Sequence, residues 1–154
     1  MSAPRPPKIP ESVLVVIHTA DLQVLLLERA DHPGFWQSVT GSKERIDEPL
    51  VETCRREVLE ETALDANRYV LTDLDLVNRY EIYPHWRSRY APGVTHNTEH
   101  VFSLELPAPL PVTLAAREHL GYQWLPWQEA APRCFSWSNV KAIEEVARRR
   151  IARG

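Results

Sequence analysis

GSKERIDEPLVETCRREVLEETAL runs from Gly41 to Leu64, and its second half predicts an amphipathic helix. We predict that this helix begins near Pro49, whose missing N–H is harmless in a first helical turn, and runs to about Leu64. At about 100° per residue, one face of the helix is apolar and we expect it to be buried. This face consists of Leu50, Val51, Cys54 and Val58.

Three glutamates, Glu57, Glu60 and Glu61, cluster in the second half of the same predicted helix. Glu57 and Glu61 project near the middle of the apolar face and Glu60 lies at its edge, so the three side chains are neighbours. Like charges at this spacing destabilise an exposed helix by about 0.2–0.5 kcal/mol per pair, and by more when they are partly desolvated. A solvated acidic face is the ordinary interpretation of such a cluster, but a bound cation explains carboxylates beside an apolar stripe better.

The oxygen ligands indicate which cation and which chemistry to expect. Carboxylates without nitrogen or sulfur partners favour a hard cation, Mg²⁺ or Mn²⁺. Magnesium keeps several waters and binds substrate phosphates, so the helix predicts chemistry on a phosphate ester or pyrophosphate.

Composition places the chain among single folded domains. It has 154 residues, of which 44% are hydrophobic and 25% charged, and we predict one domain over 1–154 with a proline-rich lead at 1–11. The net charge of −3 and the pI of about 6.1 argue against a nucleic-acid partner, although a small anion can still bind a local patch.

The lead lacks the apolar run of a signal peptide, and no stretch approaches the ~20 apolar residues of a membrane span. Cys54 and Cys134 form no C-x-x-C pair, and we expect reduced thiols in a cytoplasmic protein. The oligomeric state stays open.

The order of predicted elements indicates an α+β or α/β domain, with helices packed on a mixed sheet. We predict strands at 12–18, 23–27, 35–40, within 69–83, 99–106 and 122–125. A long loop is predicted at 85–97, and a C-terminal helix at 138–150 with Ser138 or Asn139 as its cap.

The helix also carries a family resemblance. Its segment from Arg56 to Glu61, REVLEE, resembles the R-E-U-x-E-E core of the Nudix box, and Leu64 occupies the closing apolar position. The full family pattern is long and specific. The resemblance implies a Nudix fold, an α/β/α sandwich in which a mixed sheet lies between helices.

Two positions depart from the family pattern. Ala63 stands where the family has its last glycine, and one additional residue separates Gly41 from Arg56. We interpret the second departure as an insertion within 43–47, which leaves Gly41 as the structural glycine. Either Glu48 or Asp47 then fills the position of the first glutamate.

Four further segments narrow the resemblance to one bacterial group of Nudix enzymes. They are FWQSVTGS at 35–42, RYAPGVT at 89–95, NTE at 97–99 and SWSN at 136–139. This group hydrolyses dihydroneopterin triphosphate to dihydroneopterin monophosphate and pyrophosphate in folate biosynthesis, and we expect that activity here. One alternative is a Nudix enzyme that prefers a nucleoside triphosphate such as dATP. Another is a binding module without catalysis, against which the intact glutamates argue.

The resemblance also assigns roles to individual residues. The expected ligands of Mg²⁺, or of Mn²⁺, are Glu57, Glu61, Glu60, Glu118 and the carbonyl of Gly41. Glu60 is a further ligand or the base for the attacking water, and Arg56 orients Glu57 in the catalytic group. The expected substrate contacts are Lys8, Arg29, Thr40, Tyr80, Glu81, Ile82, Tyr83, Glu118 and Ser136.

Several neighbouring residues have two interpretations. Arg87 and Arg89 either contact phosphate or close the loop, or they lie in a solvated loop with packing aromatics. Trp36 and Trp137 either form walls for a flat heterocycle or pack in the core. We expect His119 to be structural.

Overall fold

The computed structural model describes residues 6–153, so positions 1–5 of the predicted proline-rich lead lie outside the described residues. The strands are β1 (Glu11–Thr19), β2 (Gln23–Arg29), β3 (Trp36–Gln37), β4 (Val39–Ser42), β5 (Val70–Glu81), β6 (His96–Leu106) and β7 (His119–Pro126). The helices are α1 (Leu50–Thr62), α2 (Trp127–Arg133) and α3 (Trp137–Ala152). Two short 3-10 helices cover Ala66–Arg68 and Pro84–Arg89.

The strands form one mixed sheet around β1. The main order is β3-β2-β1-β6-β5, with β4 paired to β1 and β7 paired to β2. Strands β1 and β6 are parallel and the other pairs are antiparallel. Strand β4 pairs with β1 over residues 12–15, whereas β2 pairs with β1 only at His18. The two strands therefore follow one another along the same edge of β1.

Helices cover both faces of the sheet, which confirms the predicted α/β/α sandwich. Successive side chains of a strand point to opposite faces. Val13 accordingly packs with Cys54 and Val58 of α1 in one apolar cluster, and Leu14 packs with Ile143 of α3 in the other. Each fully buried side chain of this size contributes about 1.5–3 kcal/mol to folding.

Helix α1 differs in detail from its prediction. Pro49 is its N-cap with extended backbone (φ −62°, ψ 141°), so the helix begins at Leu50, and it ends at Thr62 rather than Leu64. Ala63 closes it in the left-handed region at φ 63°, a conformation that favours glycine and accounts for the glycine of the family pattern. The prediction that Val51 is buried was wrong, since it is 38% exposed. Two threonines extend the buried face instead.

Two other local predictions differ from the structure, and one helix was missed. The N-cap of α3 is Ser136, whose side chain accepts a hydrogen bond from the Asn139 N–H, and neither Ser138 nor Asn139 is the cap. Helix α2 was not predicted. The predicted loop at 85–97 begins with the 3-10 helix Pro84–Arg89.

None of the described helices combines the length and the apolar character that a membrane span needs.

Candidate active site

A cavity of about 1300 Å³ opens beside the start of β1, and both faces of the sheet contribute to its wall. It is lined by every predicted metal or substrate residue: Lys8, Arg29, Thr40, Gly41, Glu57, Glu60, Glu61, Tyr80, Glu81, Ile82, Tyr83, Glu118 and Ser136. Arg56 is not part of this lining and lies behind the glutamates. The fold thus brings together residues that are as much as 128 positions apart, counted from Lys8 to Ser136.

Glu57 and Glu61 form a buried acidic pair on α1. Glu61 is 2% exposed, and its Oε1 has no hydrogen-bond partner within the described residues. Burial raises the pKa of Glu61 well above its usual range, and the charge of Glu57 raises it further. Burial also raises the pKa of Glu57, against the opposing effects of Glu61 and Arg56. Two carboxylates in this setting hold a proton readily or require a cation.

His119 supplies no positive charge to this pair. Its Nε2 lies 3.5 Å from Glu61 Oε1 in a buried position. Burial and the nearby Arg29 lower the pKa of His119 to about 4, so the imidazole is neutral at pH 7.

Arg56 fixes the orientation of Glu57 from behind the cavity, as predicted from the resemblance. Its Nη1 donates to Glu57 Oε1 at 2.6 Å, and its Nη2 donates to the Ser42 carbonyl at 2.9 Å. The same guanidinium contacts both carboxylate oxygens of Glu48, with Nη2–Oε1 at 3.0 Å and Nε–Oε2 at 3.2 Å. Arg56 therefore ties α1 to the preceding loop.

Glu48, rather than Asp47, occupies the position of the first glutamate. Glu48 is buried and also accepts hydrogen bonds from Thr53 Oγ1 at 2.8 Å and from the Glu44 N–H at 3.0 Å. Asp47 is 84% exposed at its side chain and pairs with Arg45. The inserted residue is thus accommodated in the exposed loop before Glu48.

Gly41 lies directly against Glu57. A Cβ atom at position 41 would stand 2.0 Å from Glu57 Cδ, so any side chain there would displace the glutamate. This close approach explains why a glycine is needed at position 41 and agrees with its assignment as the structural glycine.

The remaining candidate metal ligands are more open. The side chain of Glu60 is 50% exposed, and Glu118 is an exposed residue at the cavity wall. Among residues 6–153, no group of three or more His, Cys, Asp or Glu side chains is assembled closely enough to hold a metal ion. The unpartnered Glu61 Oε1 and the oxygen-only donors nevertheless fit Mg²⁺, which takes one or two carboxylates together with waters and substrate phosphates.

Arginine side chains also border the cavity. Asp31 binds Arg29 through two hydrogen bonds of 2.8 Å and binds Arg89 Nη2 at 2.8 Å. Hydrogen bonding to Arg29 holds the pKa of Asp31 well below its usual range. The Arg29 guanidinium also lies 4.3 Å from the centroid of the Trp86 ring. These contacts fasten the segment 84–89 to β2.

Arg87 also contributes contacts that hold the segment 84–89 in place. It forms an ion pair with Glu81, and its Nε donates to the Ile82 carbonyl at 3.0 Å. The geometry therefore gives Arg87 and Arg89 contacts that close the loop, which is one of their two predicted roles.

Aromatic rings form one side of the cavity. Tyr83 stacks with Trp86 at 5.4 Å between centroids, and Phe135 meets the Trp86 ring edge-on at 5.9 Å. Trp137 is 51% exposed and lines the cavity, whereas Trp36 packs against the apolar cluster of α3. Trp86 and Phe135 were not singled out from the sequence.

Buried polar residues also line the cavity and were not singled out from the sequence as site residues: Ser12, Asn97, Glu99, Ser138 and Asn139. Asn97 Nδ2 donates to Ser12 Oγ at 2.7 Å and to the Tyr80 hydroxyl at 3.0 Å. The alternation of side chains along β6 could have identified two of them. Asn97 and Glu99 are two and four residues before the buried Val101, so all three side chains point to the α3 face of the sheet.

The fold and the acidic helix define a class of protein. The chain matches the NUDIX domain family over residues 8–146, and it belongs to the Nudix hydrolase family. Nudix hydrolases generally use divalent metals.

Within this family, the chain is similar to particular bacterial proteins. It is 47% identical over 141 residues to the dihydroneopterin triphosphate diphosphatase of Escherichia coli (strain K12), covering 90% of this chain and 92% of that protein. It is 42% identical over 138 residues to the Haemophilus influenzae protein of the same name, covering 88% and 85%. The solved structure of the E. coli dihydroneopterin triphosphate pyrophosphohydrolase superposes with a TM-score of 0.85 at 45% identity, covering 92% of this chain and 97% of that one.

Proposed function

We propose that this protein is a Mg²⁺-dependent pyrophosphohydrolase that converts dihydroneopterin triphosphate to dihydroneopterin monophosphate and pyrophosphate. The extended similarity to two dihydroneopterin triphosphate diphosphatases supports the substrate. The resemblance implies a cytoplasmic enzyme of folate biosynthesis, and Mn²⁺ is an alternative cofactor.

The observation that carries the proposal is the buried pair of carboxylates at the wall of a cavity large enough for a triphosphate. Glu61 is 2% exposed with an unpartnered Oε1, and Glu57 is held beside it by Arg56. A buried charge without compensation is strongly destabilising, so such a pair is retained where a cation binds.

Glu57 and Glu61 are the proposed principal metal ligands, with Glu60, Glu118 and the Gly41 carbonyl as further donors. When bound, Mg²⁺ supplies charge neutralisation for the phosphates and acidifies a coordinated water. Arg56 holds Glu57 in place through a hydrogen bond of 2.6 Å.

The reaction adds one water molecule across a phosphoanhydride bond. The water oxygen bonds to one phosphorus of that anhydride, the bond between this phosphorus and the bridging oxygen breaks, and the products are dihydroneopterin monophosphate and pyrophosphate. Glu60 suits the role of proton acceptor, because its half-exposed carboxylate borders the cavity and its nearest arginine contact is 3.7 Å away.

Other residues of the cavity wall suit the substrate. Lys8 and Arg29 border the cavity and are the proposed phosphate contacts. The proposed ring contacts lie at Thr40, Tyr80, Glu81, Ile82, Tyr83 and Ser136. The ring of Tyr83, stacked on Trp86, offers an aromatic surface for the flat pterin.

The test is a comparison of three substrates with purified protein and Mg²⁺. Pyrophosphate release and kcat/KM are measured with dihydroneopterin triphosphate and dATP, while ADP-ribose hydrolysis is followed through AMP formation. We expect the highest kcat/KM with the pterin substrate. A strong preference for dATP would favour the nucleotide alternative, and release of pyrophosphate from neither triphosphate would contradict the proposal.

A further inference from the structure

Glu99 is a buried carboxyl at the cavity wall that the proposed catalytic group does not use. It is 2% exposed, and its Oε1 has no hydrogen-bond partner within residues 6–153. It borders the same cavity as Glu57 and Glu61, but it lies on the α3 face of the sheet rather than the α1 face. An unpaired carboxyl oxygen in such a place is unfavourable unless a ligand binds it.

The neighbours of Glu99 are polar and uncharged. Ser138 at the start of α3 and Asn78 on β5 favour its ionised form, yet burial dominates and raises the pKa of Glu99 to about 7. No lysine, arginine or histidine among the described residues contributes to this pKa. The buried Asn97 Oδ1 is a second unpartnered acceptor at the same wall. One unpartnered donor, Nδ2 of Asn78, lies on the residue opposite Glu99 in the strand pair, and an amide N–H carries no charge. Within the described residues, the cavity wall therefore presents two unpartnered acceptors, Glu99 Oε1 and Asn97 Oδ1, without a compensating cation.

Acceptors of this kind match a heterocycle edge with two adjacent N–H donors. A 2-amino-4-oxo pterin has such an edge in its ring N–H and exocyclic amine, and guanine has the equivalent pair. Adenine instead presents one amine donor beside a ring-nitrogen acceptor. Paired hydrogen bonds to a base edge discriminate between bases by about 10- to 100-fold.

We propose that Glu99 is a specificity-determining residue that accepts both N–H groups of the 2-amino-4-oxo edge of the substrate ring. This inference rests on the proposed function and adds the recognition of the ring to it. The phosphates then bind on the α1 side of the cavity and the ring binds on the α3 side, beside Ser138 and Asn97.

The first test compares Glu99→Gln with wild type. The amide keeps the size of the side chain but replaces one acceptor with a donor, so it opposes a two-donor edge and still suits adenine. We expect kcat/KM for dihydroneopterin triphosphate to fall about 10- to 100-fold, while kcat/KM for dATP changes less than about 3-fold. Glu105→Gln is the matched control, because Glu105 lies on the same strand and the same sheet face but outside this cavity. A uniform fall for both substrates would overturn the inference, since it would indicate a structural role.

The second test needs neither turnover nor a substitution. Calorimetry with wild type measures the dissociation constants of dGMP and dIMP, which differ only in the exocyclic 2-amino group and have no anhydride bond to hydrolyse. We expect dGMP to bind about 10-fold more tightly. Equal dissociation constants would overturn the inference even if the enzyme hydrolyses the pterin substrate. Failure to release pyrophosphate from dihydroneopterin triphosphate would instead count against the proposed function.

Discussion

Arg56 and Glu48 form a two-point ion pair at the start of α1, with Nη2–Oε1 at 3.0 Å and Nε–Oε2 at 3.2 Å. The same guanidinium donates to Glu57, so the loop before the helix fixes the side chain that we assign to the metal. Arg56 thus contacts both the end of the loop that holds the inserted residue and the proposed catalytic group.

Glu48→Gln is expected to destabilise the protein, because it removes the charge from a buried pairing. We expect the free energy of unfolding in urea to fall by about 1.5–3 kcal/mol, the range for hydrogen bonds to charged groups. Asp47→Asn, at an 84% exposed side chain, should change it by less than about 0.5 kcal/mol. Equal effects of the two substitutions would contradict the assignment of Glu48 to the first glutamate position of the Nudix pattern and would leave Asp47 as its candidate.

The pairing also predicts a dependence of stability on acid. Hydrogen bonding to Arg56 lowers the pKa of Glu48 from 4.5 to about 2 in the folded protein. The unfolded chain therefore binds the proton more readily, and this part of the stability is present above pH 4.5 and lost as the pH falls towards 2. In urea unfolding, Glu48→Gln should therefore lower the free energy of unfolding by less at pH 3 than at pH 6.

Gly41→Ala is expected to impair catalysis more than folding. The new Cβ would lie 2.0 Å from Glu57 Cδ, and the flexible glutamate would move away from its position beside Glu61. Misplacing a catalytic group by about 1 Å lowers the rate by roughly 100-fold, so we expect kcat to fall by at least about 10-fold. Gly121→Ala on β7 is the control, because a Cβ there meets no atom of the described residues within 4 Å. Wild-type kcat in Gly41→Ala would contradict the proposed role of Glu57.

Mg²⁺ should stabilise the folded protein through the acidic pair. Burial raises the pKa of Glu61, so the folded protein without metal loses stability as the pH rises through the range between 4.5 and this raised pKa. A bound cation offsets this loss, and saturation at about 100 times the dissociation constant adds about 2.7 kcal/mol. The increase in Tm on adding Mg²⁺ should therefore be larger at pH 8 than at pH 6.

The matched comparison uses Glu61→Gln and Glu52→Gln. Glu61→Gln should raise the Tm of the metal-free protein and reduce its response to Mg²⁺. Glu52→Gln changes an exposed residue on the same helix and should respond like wild type. An unchanged Mg²⁺ response in Glu61→Gln would contradict its assignment as a metal ligand.

The sequence predicted the acidic helix because its periodicity is strong and its carboxylates are three and four residues apart. The prediction that Val51 is buried failed because a helical wheel does not show how far the sheet extends over the helix. Helix α2 was missed because it has seven residues and contains Pro132, which is too little for a periodic pattern.

The polar wall was harder to predict than the helix. Glu99 lies in a strand of alternating residues, and a carboxylate in such a strand ordinarily faces solvent. Its burial depends on the start of α3, where Ser138 lies beside it, and that contact joins residues 39 positions apart. The alternation along the strand gives the face on which Glu99 lies, but only the packing of α3 on that face shows that Glu99 is buried.

The metal site proposed on α1 is tested most directly by the rate of pyrophosphate release from dihydroneopterin triphosphate, measured for wild type and Glu57→Gln side by side with saturating Mg²⁺. We expect rapid release by wild type and a kcat at least ~100-fold lower in the variant, the range for loss of a key catalytic group. Circular dichroism establishes that both proteins are folded, and Glu52→Gln serves as the control on the same helix. Activity of Glu57→Gln within about two-fold of wild type would contradict the claim that α1 carries the catalytic metal site.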